Sequence, residues 1–286
     1  MKDNKKHKKA EYGILITGLI ILLAVACIIA LCAGQYSVSV PEVTKILASR
    51  FVNVTKTWSN TAEGVVFTLR LPRIIGAVLV GSALSLSGAA YQGVFKNPLV
   101  APDLLGVSSG ACVGASVAIL LHLNSFGVQA MAFVAGILAV GLTLFIPRLI
   151  KNTNMTMLVL SGIIVKGIMD SVMGIIKYVA DPETELQSIT YWQLGSLTKV
   201  LPKDLFTVGP VIVAASVIIF LLRWRINILS LGDREAKTLG VSVTVVRNFI
   251  IICATLLTAS AVCISGTIGW IGLVIPVYSV PAPVFS

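Results

Sequence analysis

Charged residues are scarce in this chain. Only 12% of its 286 residues are Asp, Glu, Lys or Arg, whereas 56% are hydrophobic. A soluble domain carries roughly 25% charged residues. Together with a mean hydropathy of +0.95, this shortage argues against an ordinary soluble domain and predicts a membrane protein that crosses the bilayer several times.

Groups that carry out catalysis or hold metals are also few. The two histidines, His7 and His122, have no partners at metal-ligand spacing, and the five cysteines all lie inside apolar runs. The cysteine spacing matches neither a zinc site nor a disulfide framework. There is no G-x-x-x-x-G-K-[ST] loop to hold ATP phosphates. We therefore expect a chain that is not an enzyme, with no metal site and no directly bound cofactor.

The basic residues do not suggest nucleic acid, although the formal net charge is +10. They sit in short segments between apolar runs, which is the membrane pattern. Residues 1–12 form a lysine-rich tail, and the apolar run 13–34 that follows is about 22 residues long. This is longer than the apolar region of a cleaved signal peptide. It predicts an uncleaved first helix with the tail in the cytoplasm.

Further apolar runs predict a single transmembrane domain over residues 13–276, followed by an atypical tail at 277–286. The segments assigned to the cytoplasm hold 13 Lys and Arg against eight in the outer segments, in agreement with the positive-inside rule. The outer segments 35–73 and 179–203 are too short for a soluble domain. The predicted spans are 13–34, 74–94, 104–122, 127–147, 155–178, 204–222 and 245–265, and an eighth begins near Thr267.

Two predicted spans carry a small residue at every fourth position. Such stripes allow the backbones of neighbouring helices to approach closely. Ordinary packing and a place beside a transport path are both compatible with them. The stripes are Gly81, Ser85 and Ala89 in the second span, and Gly110, Gly114 and Ala118 in the third.

A polar segment at 226–243 contains apolar residues among charges. Gly232 and Gly240 are suited to ending short helices. One interpretation is an amphipathic helix that rests on lipid headgroups. The other is a docking element for a cytoplasmic partner, and the order Gly-Asp-Arg-Glu-Ala-x-x-Leu-Gly from Gly232 favours docking.

Lys166 and Asp170 fall near the middle of the fifth span. They are four residues apart and therefore share a helix face. An unpaired charge at mid-span costs about 2.5–3.5 kcal/mol on insertion scales. We expect the two side chains to pair within the membrane, either as a structural pair or beside a water-filled path.

Six motifs in order resemble the permeases of the iron-siderophore, haem and cobalamin branch of ABC importers. Each motif alone is weak, but the ordered set is specific, and the resemblance covers almost all of residues 10–276. The motifs are Arg70-Leu71-Pro72-Arg73, the run 88–99, the run 102–111, Trp192 with Gly195-Ser196-Leu197, the run 231–241 and the run 266–276.

The resemblance implies an all-α, cobalamin-importer-like bundle of the type II ABC importers. It implies ten helices in the family, about seven to eight of them present here. It also implies a second permease subunit (identical or homologous), two ATPase subunits that carry the ATP, and an extracytoplasmic substrate-binding protein. By this resemblance, Arg70 and Arg73 are expected to lie where arginines on the outer side contact acidic residues of the binding protein. The alternative is that they anchor the helix at the membrane interface by snorkelling. The ATPase-coupling residues implied within 226–243 are Leu231, Gly232, Glu235, Ala236, Leu239 and Gly240.

The function expected from these motifs is import of an iron-siderophore-type chelate across the cytoplasmic membrane. A cobalamin or haem permease of the same architecture is an alternative, and an ion-gradient carrier is a more distant one. The family pattern continues past Pro276 with a histidine, an arginine and roughly two more helices, which this chain lacks. A C-terminally truncated, non-functional permease fragment, able to insert but not to assemble, is therefore a further alternative.

Overall fold

The computed structural model describes residues 2–152 and 154–279, in which all regular elements are helical. Contacts between Cα atoms divide the chain into two compact units, with the boundary between Ile75 and Gly76. The helices are α1 (Lys2–Cys32), α2 (Val40–Ala48), α3 (Asn60–Gly64), α4 (Leu71–Phe95), α5 (Val107–Leu120), α6 (Ser125–Leu149), α7 (Met155–Val179), α8 (Glu185–Gln193), α9 (Pro202–Leu221), α10 (Arg223–Leu231), α11 (Asp233–Thr238), α12 (Val243–Ser265) and α13 (Ile271–Ser279).

Within the described residues, six stretches of helix are long and apolar enough to cross a membrane, and they correspond to six of the seven complete predicted spans. The third predicted span is the exception, because α5 has only 14 residues. At 1.5 Å per residue it is about 21 Å long, and roughly 20 residues are needed to cross the bilayer. Gly106, with φ of +82°, delays its start, and His122, with φ of +53°, follows its end.

The second span is longer than predicted, since helical structure continues from Asn60 to Phe95. A π-helical turn, Val65–Arg70, joins α3 to α4. Pro72 has no N–H to donate to the preceding turn, which favours a local change in the hydrogen-bond pattern. Arg70 and Arg73 therefore lie inside a continuous helical run, which begins well before the predicted start of the second span at residue 74.

The first unit has its own small core. Val43 and Ile46 of α2 are buried with Trp58 and Val66. Ser59 accepts a hydrogen bond from the backbone N–H of Ala62 at 3.0 Å and thereby caps α3. By contrast, only 6% of the apolar window in α1 is buried by the protein, as expected for a helix whose side chains face lipid.

The second unit is built around α12, whose apolar window is 78% buried. It packs against α5, α6 and α9. The stripe in the third predicted span is a packing surface, since a Cβ at Gly110 or Gly114 would collide with α6. The stripe in the second span differs, because nothing lies within 4 Å of a Cβ at Gly81. There α4 uses the neighbouring Gly88 for close contact, against the Gly272 carbonyl.

The eighth apolar run becomes helical later than predicted, at Ile271. Gly266 and Trp270 have φ of +69°, so the chain between them turns before α13 begins. The close approach of Gly266 to the Trp192 carbonyl would exclude a side chain there. Of the predicted tail 277–286, residues 280–286 lie outside the part of the chain that the structure describes.

Candidate coupling segment and central cavity

The polar segment 226–243 folds into two short helices, α10 and α11. Gly232, with φ of +145°, separates them. After α11, the N–H of Val241 bonds to the Ala236 carbonyl at 3.0 Å and the N–H of Gly240 bonds to the Lys237 carbonyl at 3.0 Å. With φ of +75° at Gly240, this is a Schellman cap. Both glycines therefore end helices, as the sequence predicts.

One face of this segment is buried and the other is free. Leu229 is 1% exposed and Ala236 is fully buried. Leu231 and Leu239, in contrast, are 67% and 60% exposed. The buried pair anchors the segment to the protein, while the exposed leucines form an apolar surface that no part of the described chain covers. Of the predicted coupling residues, Ala236 therefore anchors, Gly232 and Gly240 shape the backbone, and Leu231, Leu239 and the exposed Glu235 face outward.

Asp233, at the start of α11, accepts hydrogen bonds from two cations. Lys96 Nζ lies 2.9 Å from Asp233 Oδ1, and Arg247 Nη2 lies 2.8 Å from Oδ2. Partial burial by itself would raise the pKa of Asp233, but the hydrogen bonds and charges of Arg247 and Lys96 outweigh it and hold the pKa below its usual value. Asp233 is therefore ionised at neutral pH and fixes the segment at this point.

A buried polar seam joins α4 to α12. Ser87 Oγ donates to the Ala254 carbonyl at 2.9 Å, and it lies 2.7 Å from Thr258 Oγ1. Tyr91 Oη lies 3.0 Å from Thr255 Oγ1. Buried hydroxyls that satisfy one another fix one relative placement of the two helices.

Lys166 forms an ion pair with a residue other than the predicted one. Its Nζ lies 3.2 Å from Asp103 Oδ2, in the turn before α5. Asp170 makes no ion pair or hydrogen bond within the described residues. The predicted pairing of Lys166 with Asp170 is therefore wrong. Residues four apart share a helix face, but the Asp103 carboxylate from a different segment lies within reach of the ammonium group.

Asp103 and Asp170 both line a cavity of about 420 Å³ in the second unit. Its wall places carboxylate, hydroxyl, amide, thiol and indole groups among a larger share of apolar groups. Within the described residues, no cluster of three or more His, Cys, Asp or Glu side chains could hold a metal ion. The lining residues include Leu84, Pro102, Asp103, Ser108, Ser109, Cys112, Asp170, Met173, Gln193, Thr258, Thr267 and Trp270.

Two of the sequence motifs meet beside this cavity. The N–H of Ser196 donates to the Ser265 carbonyl at 2.6 Å, and Thr267 Oγ1 donates to the Gln193 carbonyl. A side chain at Gly195 would collide with the Thr267 carbonyl. The motif around Trp192 and the run 266–276 therefore act together, although more than 70 residues of chain separate Gln193 from Thr267.

The two arginines near the start of α4 have different surroundings. Arg70 Nη1 donates to the carbonyls of Leu31 and Cys32 at 2.6 and 3.3 Å, and Nη2 donates to the Tyr36 carbonyl. It therefore satisfies carbonyls left free at the end of α1. Arg73 is partly exposed and makes no hydrogen bond or ion pair within the described residues.

The long apolar helices, the cavity of the second unit with its two carboxylates, and the short-helix segment 226–243 are features of a helical transport protein. A solved structure supports this class. It is described as an inward-facing conformation of an ABC transporter provisionally assigned to the metal-chelate type. The TM-score is 0.81 at 33% identity, over 92% of this chain and 79% of that chain. The fold is that of a type II ABC importer permease. Residues 22–280 match the FecCD transport family, and the chain belongs to that family.

Relatives in this family differ in their named cargo. A molybdate import system permease protein of Haemophilus influenzae is 36% identical over 93% of this chain and 78% of its own length. A Helicobacter pylori protein, named a probable iron chelatin transport system permease protein, is 41% identical over 74% of this chain. The alignment spans 64% of the Helicobacter relative's length, which is less than two thirds.

Proposed function

We propose that this chain is the permease subunit of an ATP-driven importer that moves an iron-siderophore-type chelate across the cytoplasmic membrane. The observation that carries the proposal is the capped segment 226–243, which exposes Leu231 and Leu239 while Leu229 and Ala236 hold it in place. An exposed apolar surface on a rigid element suits a protein partner. The proposed partner is an ATPase subunit. The N-terminus lies on the same, cytoplasmic, side of the membrane as this partner.

A chelate is favoured over an oxyanion by the charge of the cavity. Asp103 and Asp170 contribute two negative charges, and Lys166 balances one of them. A dianion such as molybdate would be repelled by the remaining negative charge, whereas a neutral or cationic metal chelate would not. A bulky metal chelate can instead use the hydroxyl, amide and indole groups of the wall. Molybdate is the second candidate, because the Haemophilus influenzae relative is named for it.

The extracytoplasmic binding protein is proposed to dock through Arg73. Its guanidinium is partly exposed and makes no hydrogen bond or ion pair within the described residues, so it is free to pair with an acidic patch. Arg70 is engaged by three backbone carbonyls. Reversing the charge at Arg73 therefore probes docking, whereas reversal at Arg70 would also release the end of α1.

A second permease subunit is proposed to pack along α7. Gly167, Ser171 and Gly174 are exposed on that helix, and nothing lies within 4 Å of a Cβ at either glycine. Small residues at spacings of four and three allow a second helix to approach closely. The partner can be an identical or a homologous chain.

The test is uptake by proteoliposomes containing this chain with its ATPase and binding protein. Labelled ferric siderophore, haem, cobalamin and molybdate are supplied separately, with ATP inside the vesicles. We expect accumulation of the ferric siderophore alone. Accumulation of molybdate alone would support the second candidate, and ATP-independent uptake driven by an ion gradient would contradict the importer assignment.

Replacing both exposed leucines by glutamate tests the ATPase surface. The variant Leu231→Glu with Leu239→Glu should insert normally, because both side chains are outside the core, but it should no longer retain the ATPase during purification. The control is Leu149→Glu with Ile150→Glu, at another exposed helix end. If the double leucine variant retained the ATPase at the same yield as the unaltered protein, the assignment would be contradicted.

A further inference from the structure

The ion pairs of Asp233 connect the polar segment to two membrane helices. Lys96 directly follows α4, and Arg247 lies in the second turn of α12. The side chain of Arg247 is only 11% exposed, so Asp233 balances a charge that is nearly removed from solvent. Arg234, Glu235 and Lys237 form no ion pair within the described residues. Among the charged residues of α11, Asp233 is therefore the one that forms ion pairs within the described residues.

The two helices that meet at Asp233 are also bound to each other. The Ser87–Thr258 and Tyr91–Thr255 contacts lie along the same pair of helices. Two helices that share buried hydrogen bonds resist sliding past each other, because sliding would leave buried polar groups unsatisfied. A force applied at Asp233 therefore acts on α4 and α12 together.

Both helices reach the cavity. Leu84 of α4 and Thr258 of α12 lie in its wall. From Lys96 to Leu84 is 12 residues along the chain, which at 1.5 Å per helical residue corresponds to about 18 Å. A rigid pair of helices can carry a displacement over this distance without a change in its own fold.

We propose that Asp233, Lys96 and Arg247 form a positioning clamp that transmits movement of the segment 226–243 to the wall of the cavity through α4 and α12. This inference rests on the proposed function, since the movement originates in the ATPase that binds the segment. Asp233 is a positioning residue, because it acts through its two cationic partners. The exposed leucines bind the ATPase, and the clamp transmits the motion of the ATPase to α4 and α12.

The experiment uses the full permease with its ATPase and binding protein in proteoliposomes. It measures three quantities: ATPase retained on purification, ATP hydrolysed, and cargo imported per ATP. For Asp233→Asn we expect normal ATPase retention and a fall of about tenfold in cargo per ATP, within the range of typical coupling energies. Asp233→Glu, which keeps the charge, should restore most of the ratio. Lys96→Gln should lower it less, because Arg247 remains paired.

Removing only Asp233 leaves Arg247 buried without a counter-charge, which endangers folding. The double variant Asp233→Asn with Arg247→Gln removes both charges and should fold while remaining uncoupled. Lys151→Gln is the matched control for Lys96→Gln. Lys151 also follows the end of a helix with φ of +54° and is exposed, but it has no ion pair within the described residues.

The possible outcomes distinguish a failure of this inference from a failure of the proposed function on which it rests. Unaltered cargo per ATP in Asp233→Asn and in the folded double variant would overturn the clamp while leaving the importer assignment intact. Failure of the unaltered chain to retain any ATPase would overturn the proposed function, and the clamp's role with it. An equal loss in Lys151→Gln and Lys96→Gln would also contradict the clamp, because the effect would then not depend on Asp233.

Discussion

At the scale of single residues, partners from distant parts of the chain decided the roles of the charged groups. Lys166 shares a helix face with Asp170, yet its partner is Asp103, 63 residues away in the chain. Arg70 lies close to Arg73, yet only Arg70 bonds to the carbonyls at the end of α1. The sequence identified which charges are unusual for a membrane helix. It could not identify their partners, because local spacing gives no distance between separate segments.

The ion pair between Lys166 and Asp103 predicts a specific pattern of mutant stability. Lys166→Met alone should reduce the yield of folded protein, since it leaves the Asp103 carboxylate unpaired beside membrane helices. An unpaired charge at membrane depth costs up to about 2.5–3.5 kcal/mol, and half-exposure in the cavity reduces that cost. The double variant Lys166→Met with Asp103→Asn should recover the yield, as measured by size-exclusion chromatography in detergent.

Asp170→Asn provides the control for this series. It should leave the yield unchanged by itself and should not rescue Lys166→Met, because Asp170 makes no ion pair with Lys166 in the structure. Rescue by Asp170→Asn equal to that by Asp103→Asn would mean that the two carboxylates share the lysine.

At the scale of helices, the small-residue stripes have two different roles. In α5 the glycines permit contact with the backbone of α6. In α4 the stripe of Gly81, Ser85 and Ala89 is not fully covered, and the latter two line shallow grooves beside α9. The period of four indicated a face suited to close packing in both helices. Whether another helix packs against such a face, and which helix does so, depends on the tertiary fold.

Alanine at Gly114 should destabilise the protein, whereas alanine at Gly81 should not. A Cβ at Gly114 would strike the Met131 carbonyl, and none of the surrounding atoms is the end of a flexible side chain. Overpacking of this kind typically costs about 1–3 kcal/mol. At Gly81 there is open space, and alanine favours the helix by up to about 1 kcal/mol. Thermal unfolding of the purified protein in detergent measures both effects, and an equal loss in both variants would contradict the packing described.

At the scale of the whole molecule, the division into membrane spans and polar segments follows from composition, while the cavity does not. Six of the predicted spans are long membrane-type helices, and the predicted polar segment at 226–243 is the pair α10 and α11. The cavity wall draws on the turn before α5, on α7 and α12, and on the turn before α13. No sequence window contains all of these residues, so no local pattern could assemble them.

The proposed contact between permease subunits predicts a change of oligomeric state. Leucine at Gly167 and Gly174 would place branched side chains where a second helix approaches, so the double variant should shift the protein from dimer toward monomer. The measurement is mass by light scattering in detergent. Leucine at Gly141, which also has nothing within 4 Å of its Cβ and is exposed on α6, should leave the mass unchanged. A dimer that persists in the double variant would exclude this face of α7.

The sequence by itself determined that this is a helical membrane protein, where most of its helices lie, and which polar segment contains helix-ending glycines. Hydropathy and helix-ending glycines are local properties, so they can be read along the chain. Only the tertiary structure decided that Lys166 pairs with Asp103, that Arg70 donates hydrogen bonds to the carbonyls at the end of α1, and that Asp233 joins α4 to α12. These outcomes depend on distances between segments far apart in sequence, which are set by the packing of the helices as a whole.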